Sequence, residues 1–261
     1  MNRISIDTNM EALKTGSYMI GNFDDICIST DVNSSCDLLL NNLSSKSLLK
    51  IIINEGSSLN LSILAENEVK TLKIEIFVKN NGNLQGYFAD FSKNTINLNC
   101  SIDLQDIGAT AYFRLASLAA KNDQKNIDIS IKHSSAYTFG KVDNYGVCKD
   151  DAKLIFMGTS HILNKSIKCK TQQNAKIMVF DEASNAVAKP ILKIDENDIE
   201  ASHAAAVGKI SDEHLFYLTS RGISQAEAKT LITYGYLKPI LVGFNDEDIK
   251  DRISSLIEGR M

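Results

Sequence analysis

The chain has 261 residues, 44% hydrophobic and 23% charged, with a formal net charge of −4 and a pI near 5.6. That length can bury a substantial core, and the acidic balance supplies no basic surface for phosphate backbones, so nucleic acid is excluded as a partner. No apolar run approaches the ~20 residues of a membrane span, and the opening MNRISIDTNM lacks the apolar centre of a signal peptide; no membrane partner and a cytoplasmic location are expected.

Residues 1–21 read as a short N-terminal segment with at most one helical turn, around Asn9–Lys14. From 22 to 205 strand follows strand. Apolar residues alternate with polar ones at Leu72, Ile74, Ile76 and Val78, at Ile96, Leu98, Cys100, Ile102 and Leu104, and at Ile127, Ile129 and Ile131, the period-2 sign of a half-buried strand. Turn-formers at 80–83 (NNGN), 121–126 (KNDQKN) and 181–185 (DEASN) separate such runs. No long amphipathic helix interrupts them, which disfavours a βαβ fold. A sandwich or a solenoid of stacked coils remains. No constant repeat period assigns coils, but short strands punctuated by Asn, Ser and Gly, with two prolines and no tryptophan, lean toward a parallel β-helix. Pro190 is expected to open the last strand. The charged run Lys193, Asp195, Glu196, Asp198 and Glu200 reads either as a solvated edge or as a rim around a site at His203.

Residues 206–261 read as three short helices. Ser211 is an N-cap with Asp212 and Glu213 behind it, and Arg221-Gly222 is a stop signal. Leu215 and Leu218 share a face that Phe216 and Tyr217 are expected to broaden. SQAE at 224–227 is a capping box, with Gly235 as the expected end of that helix. NDED at 245–248 starts a third helix, with Ile249, Ile253, Leu256 and Ile257 at helical spacing. Helices this short must dock on something.

Chemistry has few candidates. The five cysteines, Cys27, Cys36, Cys100, Cys148 and Cys169, include no C-x-x-C pair and read as free thiols. Cys169 is a secondary candidate: Lys168 and Lys170 flank it and would favour its thiolate if they reached the sulfur, although neighbours in a strand point to the opposite face. Of four histidines, His133, His161 and His214 read as structural or surface residues. His203 stands apart among the small residues Ala201, Ser202, Ala204, Ala205 and Ala206, which leave room for another chain or a ligand. A lone imidazole is a competent iron ligand, but a metal site needs several. Neither a P-loop, a dinucleotide fingerprint nor a G-x-S-x-G elbow is present.

SHAAAVGKI at 202–210 followed by LFYLTSRGIS at 215–224, with TQQNAKIMVF at 171–180 upstream and AEAKTLITYGYL at 226–237 downstream, resembles the C-terminal signature of the SufB/SufD family of the SUF iron–sulfur cluster assembly machinery. Ala204 after the histidine fits the SufD side, since SufB-type chains usually carry a His-Glu pair there. The resemblance implies a right-handed parallel β-helix core at 22–205 with a small C-terminal helical domain at 206–261, and relatives with a larger N-terminal region. It implies a scaffold subunit that is not an enzyme, pairing with a SufB paralogue and docking SufC, an ABC-type ATPase, through Phe216, Tyr217, Arg221 and Gly222; for Phe216 the alternative is a place in the helical core. His203 becomes the cluster-assembly residue and a metal ligand for transient iron or a nascent cluster at the shared interface, with no cofactor held stably by the isolated chain. Many relatives have a cysteine two positions before the histidine; Ala201 stands there here, so no thiolate is supplied. Two other readings compete: a SufB-like homodimer holding a cluster by itself, and a β-helix enzyme acting on polysaccharides, which the absence of tryptophan and of a secretion signal disfavours.

Overall fold

The computed structural model describes residues 2–3, 12–21 and 24–261. Seventeen strands among them form two all-parallel sheets. One contains β1 (Asn2–Arg3), β3 (Gly16–Gly21), β5 (Ser35–Asn41), β7 (Ser58–Ala65), β9 (Asn83–Asp90), β11 (Thr110–Ala119), β13 (Phe139–Cys148), β15 (Cys169–Val179) and β17 (Ile199–Lys209). The other contains β2 (Ala12–Leu13), β4 (Asp25–Thr30), β6 (Lys46–Ile53), β8 (Thr71–Val78), β10 (Thr95–Leu104), β12 (Gln124–His133), β14 (Lys153–Ile162) and β16 (Asn185–Ile194). Odd strands pair only with odd and even with even, so successive strands alternate between the sheets and the chain winds as a parallel β-solenoid. Its inner wall is an aliphatic ladder: Ile51, Ile76, Ile102 and Ile131 stack in register and are all buried. Burying each such side chain contributes ~1.5–3 kcal/mol.

The repeat has no fixed length because the coil grows. Leu38 pairs with Leu61, 23 positions on; Leu61 with Gly86, 25 on; Gly86 with Phe113, 27 on; Phe113 with Val142, 29 on; and Val142 with Gln173, 31 on. In the eight-stranded sheet the steps from Ile51 through Ile76, Ile102, Ile131 and Ser160 to Leu192 are 25, 26, 29, 29 and 32, so the turns absorb the added residues, and inward side chains stay paired with inward side chains as the solenoid widens.

Helices α1 (Asp212–Ser220), α2 (Gln225–Leu237) and α3 (Glu247–Glu258), with a 3₁₀ turn at Lys238–Gly243, complete the chain. Ser211, Ser224 and Asp246 cap them through hydrogen bonds to His214 N, Glu227 N and Ile249 N, and Glu227 closes the capping box. Leu237, Ile240, Phe244, Ile249, Ile253 and Ile257 form a second core against Leu39, Leu64, Tyr87, Ala89, Phe91, Ala116, Leu118 and Val147, the outward side chains of the nine-stranded sheet. That sheet is therefore apolar on both faces at its centre, and β9 and β11 lose the simple alternation there. The seat is close: a Cβ on Gly243 would fall 2.0 Å from the Tyr87 ring. No helix is long and apolar enough to cross a membrane among the described residues.

Several expectations need correction. Ala12–Leu13 is strand, not helix, while residues 9–11 lie outside the described residues. Strand β3 already belongs to the solenoid before residue 22, and β17 runs to Lys209, past 205. Pro190 sits inside β16 rather than opening the last strand, and is tolerated because β16 is an edge strand with no ladder to feed on its outer side. Gly235 is interior to α2, which continues to Leu237 until Pro239 enters the 3₁₀ turn. Phe216 and Tyr217 do not extend the buried face of α1, where Leu215 is the buried residue.

A buried ion pair fastens the middle coils. Lys125 Nζ donates to Asp90 Oδ1 (2.9 Å), Ser92 O (2.6 Å) and Ser92 Oγ (2.9 Å), and Ser117 Oγ donates to the other Asp90 oxygen (2.7 Å). Burial pushes the Lys125 ammonium below its usual range, and Asp90 opposes that. Arg260 reaches the same place from the end of the helical segment, bonding Asp123 and the carbonyls of Phe91 and Ser92. Asp90→Ala leaves a buried charge unpaired and is expected to lower stability by about 3–5 kcal/mol in urea melts. Asp90→Leu combined with Lys125→Met should return it to the wild-type level or above; an unchanged Asp90→Ala melt would contradict this account of the pair.

Candidate functional site at the open end of the solenoid

β16 and β17 are the terminal strands of their sheets. The inward side of β17 follows from its partners: the buried Cys169, Thr171, Gln173, Ala175 and Ile177 pair with Ile199, Ala201, His203, Ala205 and Val207. His203 therefore lies on the inner face, directly over Gln173, in the same ladder as Leu38, Leu61, Phe113 and Val142. It is exposed only because no further coil roofs it. The facing strand contributes Ala186, Ala188, Pro190, Leu192 and Ile194. The site is an imidazole in a shallow apolar mouth bounded by two unpaired strand edges.

Cys169 shares that sheet face but not that place. It pairs with Ile199, four positions along the strand from His203, or roughly 13 Å at ~3.3 Å per residue. Its sulfur is fully buried, 3.1 Å from Ser135 O and 3.0 Å from Thr138 Oγ1. Thr138 Oγ1 is in turn 2.7 Å from His133 Nδ1. This thiol–hydroxyl–imidazole chain resembles a proton relay, but the base is wrong for one: burial pushes His133 down to about 4, so it stays neutral at pH 7. Lys168 and Lys170 point outward and pair with Asp198 (2.9 Å) and Glu200 (2.8 Å) instead of reaching the sulfur. All five thiols are unpaired; burial pushes Cys100 well above the usual thiol range and Cys148 up to about 11.

The charged run at 193–200 is largely committed to the coil beneath it. Asp195 pairs with His161 (2.8 Å), Glu196 accepts from Lys165 N (3.0 Å) and Asn197 N (2.8 Å), and Asp198 and Glu200 hold the two lysines. It is a solvated edge rather than a free acidic rim. No three His, Cys, Asp or Glu side chains converge to hold a metal ion among the described residues. His214 is exposed on α1.

The second candidate surface is on α1, which packs on α2. Phe216 is 75% exposed and Tyr217 55%; the Arg221 guanidinium lies over the Tyr217 ring (4.7 Å), and Gly222 at φ 87° turns the chain away. The core alternative for Phe216 is thereby excluded. Sequence reading missed the polar floor beneath His203, made of Ser160, Thr171 and Gln173. Its only signal is polar side chains at alternate positions of TQQNAKI, which read equally as a solvated face.

A family model described as SUF system FeS cluster assembly, SufBD core domain, matches residues 13–236. The chain is similar to the iron–sulfur cluster assembly protein SufD of Bacillus subtilis, 36% identical over 137 residues that cover 52% of this chain and 31% of that protein. It is 26% identical to SufD of Escherichia coli over 163 residues, 62% of this chain and 38% of that one. An iron–sulfur cluster assembly SufBD family protein of Staphylococcus epidermidis is 28% identical over 165 residues, 62% and 35% respectively. The matched stretch spans about a third of the length of these relatives.

His133 gives a pH test. The folded chain protonates it at about 4 and the unfolded chain near 6.5. Between those values the unfolded state binds the extra proton, so the stability contributed above pH 6.5 is lost as pH falls toward 4, on the order of 3 kcal/mol. Urea melts at pH 7 and 4.5 should show a smaller drop for His133→Gln than for the wild type; equal drops would remove His133 from the acid response.

Proposed function

The chain belongs to the SufB/SufD core family of the SUF iron–sulfur assembly system, and on that premise we propose that it is a SufD-type scaffold subunit with no catalytic step of its own. Its open solenoid end pairs with a SufB paralogue, and its exposed α1 surface docks the SufC ATPase. The observation that carries this reading is His203, exposed on the inner face of the last strand at an unroofed end. Unpaired strand edges template pairing with another chain, and Ile191, Ile194 and Val207 add exposed apolar surface at the same end. One imidazole is half a site: it binds iron or a nascent cluster, the cargo of the system, only when a second chain brings further ligands. The aromatic and arginine surface on α1, Phe216, Tyr217 and Arg221 with the turn at Gly222, has the composition of an interface hot spot.

Co-expression with a longer β-helix relative and an ABC-type ATPase, followed by affinity purification through this chain, tests the reading. All three proteins should co-purify. Phe216→Asp should reduce ATPase recovery about tenfold or more while leaving the β-helix partner bound. His203→Ala should leave the assembly intact and lower iron–sulfur absorbance after reconstitution. Recovery of this chain alone, as a dimer, would instead favour the homodimeric scaffold.

A further inference from the structure

The lumen changes chemistry one level below its mouth. In the ladder Ile51, Ile76, Ile102, Ile131, Ser160, Leu192 the run of isoleucines breaks at Ser160. In the opposite wall, Leu38, Leu61, Gly86, Phe113 and Val142 give way to Gln173. The two polar residues meet: Gln173 Nε2 donates to Ser160 Oγ (2.6 Å) and to Ile191 O (3.3 Å), and Thr171 Oγ1 donates to Ser160 Oγ (2.8 Å). The bond to a backbone carbonyl fixes which end of the amide is nitrogen. Gln173 Oε1 then lies over Gly158, where a Cβ would fall 2.7 Å from it.

Beside this amide is a cavity of about 10 Å³, lined by Asn144, Gly158, Gln173, Ala175 and Pro190 among others. Asn144 is 4% exposed and sits on the inner face, and its Oδ1 has no hydrogen-bond partner among the described residues. A buried acceptor left unpaired is costly, and aliphatic side chains would fill this wall without that cost. Asn144 and Gln173 both line this space, and a pair of carbonyl oxygens calls for a molecule that donates twice. The volume selects among such molecules, since it holds about one water and nothing larger.

We infer that the level beneath His203 contains a built-in site for a single water, bridging Asn144 Oδ1 and Gln173 Oε1. The water completes the polar floor on which the terminal strand rests, and it belongs to this chain alone, whatever covers the mouth. A crystal structure of the full chain at about 1.6 Å tests it. The expected result is one density peak within 2.7–3.2 Å of both oxygens, lost in Asn144→Leu. In solution, water–amide cross-relaxation should mark the side-chain amides of Asn144 and Gln173 in the wild type. Both oxygens in place with no peak and no cross-relaxation, or Asn144 turned to bond a protein group, would overturn the site. Neither measurement involves a partner or a cluster, so its failure is distinct from failure of the scaffold reading.

Discussion

Each coil of this solenoid is half a structure. Its inward side chains are buried by the coil before and the coil after, and its strand N–H and C=O groups are paired the same way. The condition that holds throughout is register: alternate residues face the lumen in every strand, and inward side chains pair with inward side chains while the coil widens from 23 residues at Leu38–Leu61 to 31 at Val142–Gln173. At β16 and β17 the condition fails on one side. Ile199, Ala201, His203, Ala205 and Val207 continue the inner ladders with nothing above them. The candidate site is thus a consequence of stacking that stops, and His203 is exposed because it occupies a core position in a coil without a roof.

The helical segment answers a different part of the same problem. The outer face of the nine-stranded sheet is apolar around Tyr87, Phe91 and Leu118, and α2, α3 and the 3₁₀ turn cover it with a second core. Arg114 donates to Pro239 O (3.0 Å) and Arg260 bonds the carbonyls of Phe91 and Ser92, so the stretch from the 3₁₀ turn to the end of α3 is tied to the solenoid on either side. α1 has only Leu215 buried and carries its aromatics outward. The anchored α3 and the outward aromatics of α1 are joined through α2, which packs on both.

Much of this was legible in the sequence. Alternation at Leu72–Val78 and Ile127–Ile131 gave the strands, and Ser211, Ser224 and Gly222 marked helix ends that the structure keeps. Sandwich and solenoid were not separable by period because no period exists: a repeat whose length changes from turn to turn defeats self-comparison while leaving local alternation intact. The outward apolar residues of β7, β9 and β11 blurred the alternation, since a strand buried on both faces carries no binary pattern. At the site, the small residues around His203 were visible, but which way the imidazole faces depends on pairing with Gln173, thirty positions away in sequence. Cys169 could not be separated from His203 by sequence alone; register places it about four residues along the neighbouring strand and turns its sulfur toward Ser135.

The terminal strands are proposed to be a pairing surface. Hydrogen exchange by mass spectrometry, on the chain alone and after addition of a longer β-helix relative from the same host, reads that directly. The prediction is slowed exchange at Asn185–Ile194 and Ile199–Lys209 with the other coils unchanged. Protection confined to the helices or to the N-terminal coils, with β16 and β17 exchanging as in the free chain, would contradict it.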